Sequence, residues 1–183
     1  TNEEQSFHTD NSYNISPPDH VGLLCLHPAA EGGLNRIVNM VAVLEVMNYK
    51  YPDLVSRLYQ PYFFDRQREH SDTDDNTIFT PLLCEEERGL RVRVSRNLIY
   101  QGYNLEGKMI DETSEAALDA FFSIIDDPKM YIEFHFEQGQ IQFLNNRLIG
   151  HKRTSYRDSS EDGIKRKLLR VWLRETGKRF YNG

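Results

Sequence analysis

Cysteine is nearly absent from this chain, with Cys25 and Cys84 the only two among 183 residues. Two are too few for a disulfide framework, and each lies beside apolar residues. Buried free thiols in a reducing compartment are therefore expected. No run approaches the roughly twenty apolar residues that a membrane-spanning helix requires, and no signal-peptide pattern opens the sequence. A cytoplasmic protein that does not engage a membrane is the expectation. Positive charge is also short: 22 Lys and Arg against 28 Asp and Glu give a net charge of −6, the wrong sign for a nucleic-acid surface. One basic cluster stands apart, Lys165-Arg166-Lys167 with Arg170, Arg174, Lys178 and Arg179. Internal repeats and long low-complexity segments are missing. The remainder, 39% apolar and 27% charged, fits a single domain over residues 1–183 with a real core and many polar loops.

Histidine is scarce, yet it carries the most specific pattern. Six histidines and 28 acidic residues in 183 give about one His-x-Asp/Glu by chance. The chain has His8-Thr9-Asp10, His70-Ser71-Asp72 and His135-Phe136-Glu137. Two histidines and one carboxylate can occupy one face of an octahedral ferrous ion and leave three positions open, as in non-haem iron oxygenases. The second triplet lies in Glu69-His70-Ser71-Asp72-Thr73-Asp74-Asp75, an acidic run that reads as a solvated loop. The third alternates with period two from Tyr131 to Glu137, and a half-exposed strand accounts for it.

The surroundings of the first triplet single it out. His8 to Tyr13, Pro17-Pro18, Gly22-Leu23-Leu24-Cys25-Leu26 and Ala29 to Asn35 follow one another in order. Near the other end come Gly139 to Arg147, His151-Lys152-Arg153-Thr154 and Arg166 to Leu173. Together these blocks resemble the taurine dioxygenase-like family of iron(II)- and 2-oxoglutarate-dependent oxygenases, in the same broad group as clavaminate synthase. The resemblance runs from about residue 6 to residue 174. It implies a longer segment ahead of this motif than the seven residues that precede His8, so a missing leading segment is expected.

Local patterning gives a compatible fold class. Gly22 to His27 and Arg36 to Asn39 read as strands, and Met40, Val43, Leu44 and Met47 recur at helical spacing as a core stripe. Pro52 opens a second short helix. Tyr62 to Phe64 and Thr77 to Leu83 read as strands around the acidic loop, and Leu90 to Val94 alternates. Thr113 is placed to cap a helix running to Ile125, with Leu118, Phe121, Phe122 and Ile125 inward. Strands over 131–137, 140–144 and 166–174 follow. Mostly β with inserted helices fits a double-stranded β-helix, the clavaminate synthase-like jelly roll.

Within that frame His8 and Asp10, two apart on one strand, face the same side and reach one ion. The resemblance supplies His151 as the distal ligand. A co-substrate carboxylate deep in a barrel requires a fixed cation, and arginine's planar fork suits it. Arg166 and Arg170 share a strand face, about 13 Å apart at strand rise. The resemblance implies that Arg166 holds the C5 carboxylate of 2-oxoglutarate, with Arg170 nearer the iron. Where the family places threonine or serine as a second donor, this chain has Asn35, whose amide can still donate. Acidic Ser159-Ser160-Glu161-Asp162-Gly163 lengthens the approach to Arg166. Asn11, Asn146 and Arg153 read as scaffold.

The expectation is an oxygenase that couples oxidative decarboxylation of 2-oxoglutarate to oxidation, by default hydroxylation, of a small-molecule C–H bond. Its substrate pocket would draw on the loops around 65–80 and 100–112. The alternatives are a non-catalytic metal-binding β-barrel module and a cupin-like metalloenzyme without 2-oxoglutarate. Neither requires the paired arginines.

Overall fold

The computed structural model describes residues 2–159 and 164–175. Residues 160–163 of the acidic stretch, and Lys178 and Arg179, lie outside the described residues. In chain order the elements are β1 (His20–His27), β2 (Glu31–Gly32), β3 (Asn35–Asn39), α1 (Met40–Lys50), α2 (Pro52–Leu58), β4 (Pro61–Asp65), β5 (Thr77–Pro81), β6 (Leu83–Glu86) and β7 (Gly89–Val92). There follow α3 (Arg96–Leu105), α4 (Glu112–Ile125), β8 (Tyr131–Phe134), β9 (Ile141–Asn145), β10 (Ile149–Arg153), β11 (Tyr156–Arg157) and β12 (Lys167–Leu173).

Two antiparallel three-stranded sheets carry the architecture, ordered β12-β1-β9 and β10-β3-β8. A cavity of about 250 Å³ is lined by Leu23 and Leu168 from the first sheet and by Asn35 and His151 from the second. The sheets therefore enclose space between them, as a double-stranded β-helix does. On the first sheet Val21 and Cys25 point inward and are fully buried. The opposite face carries Ile141, Phe143, Leu169 and Val171, all exposed, because successive side chains alternate. The main apolar core lies elsewhere, where α1, α2 and α4 pack together and α3 lies on β4. Among the described residues no helix is long and apolar enough to cross a membrane.

Several local expectations are corrected. Helix α4 begins at Glu112, one residue before Thr113, and its cap is Asp111, whose carboxylate accepts from Ser114 N at 3.0 Å. The last strands are shorter than expected, since β8 ends at Phe134 and Arg166 stands just ahead of β12. Helix α3 occupies ground expected to be loop. Its buried positions Leu98, Ile99, Gly102 and Tyr103 do have helical spacing, but Asn97, Gln101, Gly102 and Asn104 weaken the signal. Gly102 is there for space: a Cβ would come within 2.5 Å of the Phe63 carbonyl oxygen.

Candidate metal centre and flanking cavities

His8 and His151 are brought together by backbone pairing. The His8 N–H donates to the His151 carbonyl at 3.0 Å and the His151 N–H to the His8 carbonyl at 2.9 Å. Gln5 N to Arg153 O extends the pairing, and Thr9 N to Val94 O secures the other side. The segment around His8 thus lies along β10 without forming a regular strand of its own. That corrects one expectation: His8 forms an isolated bridge, and Asp10 sits in the turn that follows, not on a shared strand.

The turn is heavily braced. Asn146 accepts from Asp10 N at 2.8 Å and donates to the carbonyls of Asp10 and Pro18, each at 3.0 Å. Asn11 takes a left-handed φ of 56°, a conformation asparagine tolerates better than most residues. Arg93 donates to the carbonyls of Ser12 and Asn14 at 2.7 and 2.6 Å. Burial pushes the Arg93 guanidinium down to about 10, so it remains a cation at neutral pH. Asn146 and Asn11 accordingly serve as scaffold, and Arg153, which donates to the Glu3 carbonyl at 2.8 Å, ties down the first residues.

The result is a compact triad. One donor atom from each of His8, Asp10 and His151 lies within 4.8 Å of the others. His8 Nε2 is 3.5 Å and His151 Nε2 3.4 Å from the same oxygen, Asp10 Oδ1. Adjacent ligands about 2.1 Å from one ion lie roughly 3 Å apart, so the spacing suits a single cation after small adjustment. His8 Nδ1 donates to the Ser6 carbonyl at 2.9 Å, leaving its Nε2 lone pair directed inward. The other Asp10 oxygen is engaged by Trp172, whose Nε1 donates to Oδ2 at 2.6 Å, and Arg170 Nη1 lies 3.2 Å from Oδ2 and 3.3 Å from Oδ1. Burial pushes the Asp10 carboxyl up, but the two adjacent imidazoles and the Arg170 guanidinium outweigh it and hold it far below the usual range. Burial first, and then the nearby His8, push the His151 imidazole down. A carboxylate beside a neutral imidazole is the protonation state that metal binding requires.

Two cavities meet at the triad. The first, the 250 Å³ space between the sheets, is bounded by His8, His151, Asn35, Arg166 and Arg170. Asn35 Nδ2 is buried there without a hydrogen-bond partner. Burial, then the neighbouring Arg153, push the Arg166 guanidinium down, and among the described residues no carboxylate pairs with it. An orphaned amide donor and a guanidinium lining one cavity suit an anionic group. Gly33 keeps that corner open: at φ 67° its absent Cβ would press on Ala29 and come within 3.4 Å of Arg166 Nε. The second cavity, about 460 Å³, contains His8, Asp10 and Arg170 together with Tyr13, Glu69 and Trp172. Arg170 borders both spaces, whereas Arg166 borders only the first.

Tyr13, Glu69 and Trp172 were not singled out by the sequence. The Tyr13 hydroxyl donates to the Glu69 carboxylate, so the acidic loop is not merely solvated. A lone tryptophan at an inward strand position reads as core, and only its contact with Asp10 distinguishes it. The other two histidine triplets stay out of the site. His135 is exposed beyond the end of β8, and His70 Nδ1 bonds the Ser71 carbonyl within its own loop.

Comparison with known proteins bears on the fold and the family. FR-33289 synthase of Streptomyces rubellomurinus (strain ATCC 31215) is 28% identical over 185 aligned residues, covering 98% of this chain and 52% of that protein. The taurine hydroxylase-like protein SAT17 of Stachybotrys chartarum (strain CBS 109288 / IBT 7711) is 28% identical over 169 residues, covering 90% and 41%. Among solved structures, an asparagine oxygenase complex with Fe(II), 3-hydroxyasparagine and succinate superposes with a TM-score of 0.72 at 21% identity, over 94% of this chain and 50% of that one. The non-heme iron oxygenase OrfP in complex with Fe gives 0.70 at 18% identity, over 96% and 52%. These likenesses establish the double-stranded β-helix fold, and the chain spans about half the length of the relatives it matches. Residues 1–172 match the family described as taurine catabolism dioxygenase TauD, TfdA, and the chain belongs to that family.

Proposed function

We propose that this chain is the catalytic part of an iron(II)- and 2-oxoglutarate-dependent oxygenase acting on a small molecule. The observation that carries the reading is the pairing of a His8/Asp10/His151 triad with an adjoining cavity that ends in Arg166 and the orphaned Asn35 amide. His8, Asp10 and His151 would hold the iron, with Asp10 Oδ1 as the ligating oxygen, since it faces both histidines while Oδ2 is held by the Trp172 indole. Arg166 and Asn35 would fix the C5 carboxylate of 2-oxoglutarate. A bound ferrous ion supplies dioxygen chemistry that couples decarboxylation of 2-oxoglutarate, to succinate and carbon dioxide, to oxidation of a substrate C–H bond, by default hydroxylation. The chain's own part is to orient the co-substrate between the sheets and exclude water there. Arg170, set between the two cavities, contacts Asp10 and reaches an anionic group from either side. A purely structural or non-catalytic barrel gives no use to the orphaned Asn35 amide in a cavity shared with Arg166, which favours the enzyme. The buried, unpaired Cys25 supports a reducing, cytoplasmic setting.

The test is anaerobic titration of 2-oxoglutarate into iron-loaded protein, followed through the charge-transfer absorption of the complex. Removing a charged partner from a carboxylate in a buried site costs several kcal/mol. Arg166→Ala should therefore weaken 2-oxoglutarate binding at least a hundredfold with little change in iron affinity. Arg170→Ala should impair substrate-coupled turnover at least as much as co-substrate binding. Unchanged 2-oxoglutarate affinity in both variants would contradict the assignment.

A further inference from the structure

Arg166, at the end of the cavity between the sheets, has little regular structure to hold it. Strand β12 begins one residue later, at Lys167, and its register against β1 shifts between Cys25 and His27, just where Lys167 pairs. The Arg166 N–H donates to Asp158 Oδ1 at 2.7 Å, which fixes the backbone and leaves the side chain to be set by what it packs on. An arginine has many rotamers to lose. Its planar fork recognises a carboxylate only when held in one orientation.

What the side chain packs on is Tyr156. Arg166 Cζ lies 5.3 Å from the centroid of that ring, and Arg153 Cζ lies 4.5 Å from the same centroid. The tyrosine is itself well anchored. It pairs with Gly32 across β11 and β2, and its N–H donates to the Asn2 carbonyl at 3.0 Å. Gly33 N–H donates to the Ser155 carbonyl at 2.9 Å. A Cβ on Gly33 would stand 3.4 Å from both Tyr156 Cβ and Arg166 Nε, so glycine there lets backbone, ring and guanidinium close on one another.

Two guanidiniums gathered at one ring repel each other. Burial, then Arg153, push the Arg166 guanidinium down; burial pushes Arg153 down as well, and Tyr156 opposes the effect on both. The negative face of an aromatic ring attracts a cation, more strongly where water is partly excluded, and Tyr156 is half-buried.

We infer that Tyr156 is a positioning residue for the co-substrate, its ring holding the Arg166 guanidinium in the orientation that meets the C5 carboxylate of 2-oxoglutarate. The inference rests on the reading of Arg166 as the anchor of that carboxylate. Tyr156 does not line the cavity between the sheets. It acts through Arg166, and its loss should appear in co-substrate binding alone.

The experiment is anaerobic titration of 2-oxoglutarate into iron(II)-loaded protein, with iron affinity taken from chelator competition and turnover from succinate formation. Tyr156→Leu should weaken 2-oxoglutarate binding about fivefold or more, raise its KM without lowering kcat, and leave iron affinity unchanged. Tyr156→Phe keeps the ring and should bind within about twofold of the unaltered protein. Replacing Tyr156 with pentafluorophenylalanine keeps the shape of phenylalanine and reverses the polarity of the ring face. That protein should bind 2-oxoglutarate about threefold or more weakly than Tyr156→Phe does, a comparison that decides the matter even if the leucine variant fails to fold. Equal affinity of the phenylalanine and pentafluorophenylalanine proteins would make Tyr156 a packing residue and overturn the inference. So would wild-type binding by Tyr156→Leu, or a loss of iron affinity as large as the loss of 2-oxoglutarate affinity. Arg166→Ala separates the two readings. A loss there with none in the Tyr156 variants removes only the role of Tyr156, whereas unchanged 2-oxoglutarate affinity in Arg166→Ala removes the anchor and with it the inference.

Discussion

Asp10 divides its two oxygens between two tasks. Oδ1 faces both histidines, Oδ2 accepts from the indole N–H of Trp172, and the Arg170 guanidinium lies within 3.3 Å of both. Groups that orient a ligand in this way contribute 10–100-fold to metal affinity in known sites. Trp172→Phe keeps most of the apolar volume and deletes the donor. It should weaken iron binding by about tenfold or more, measured by competition with a chelator, while circular dichroism shows the fold intact. Unaltered affinity would show that Asp10 is oriented by its backbone turn alone. At this scale the sequence was informative in an uneven way. His8, Asp10, His151, Asn35, Arg166 and Arg170 each border at least one of the two cavities, because ligand chemistry restricts residue type and the flanking blocks fix their order. Trp172 and Glu69 escaped notice for a physical reason: an indole donor and a loop carboxylate acquire meaning only from what they touch.

Regular elements were legible where alternation or helical spacing was clean and obscure where it was interrupted. The stripe Met40, Val43, Leu44 and Met47 became the buried face of α1, and Leu118, Phe121, Phe122 and Ile125 that of α4. Helix α3 was hidden by Gly102, which the approach of Phe63 demands. The strand expected to carry both His8 and Asp10 is a bridge and a turn, since Asn146 and Arg93 satisfy that backbone from outside any ladder. The start of α4 supplies a direct test of such local reading. Asp111 caps the helix through Ser114 N, whereas Thr113 is exposed on its first turn. Asp111→Ala should lower stability by about 1 kcal/mol in urea denaturation, and Thr113→Ala should change it by less than about 0.5 kcal/mol. The reverse order would restore Thr113 as the cap.

Across the whole molecule, a charge network ties the sheet carrying Arg170 and Trp172 to the β6–β7 hairpin. Asp19, 3% exposed, meets Arg91 at 2.9 Å and Arg147 at 3.3 Å, and it accepts from Glu175 N at 3.0 Å. Arg91 and Arg147 each also contact Glu86, at 2.9 and 2.8 Å. Burial pushes Asp19 up, but the Glu175 N–H and the two guanidiniums outweigh it, so its carboxyl titrates below the ordinary range. Glu86 is lowered in the same way. A carboxyl depressed in the folded state contributes stability that is fully present above about pH 4 and lost as pH falls further. Thermal unfolding followed from pH 7 to pH 3 should therefore show a loss that is blunted in Asp19→Asn. That variant should already be about 3 kcal/mol less stable at pH 7, because it leaves buried guanidiniums short of an anion. Equal acid sensitivity of the two proteins would contradict this role.

The central claim concerns the triad that this framework assembles, and a matched pair of histidine substitutions tests it most directly. Succinate formed from 2-oxoglutarate in the presence of iron(II) and dioxygen should fall to background in His151→Ala, because one of the three ligands is gone. In His70→Ala, altered in the loop outside the triad, it should remain near the wild-type rate. Equal succinate formation by wild type and His151→Ala would contradict the account.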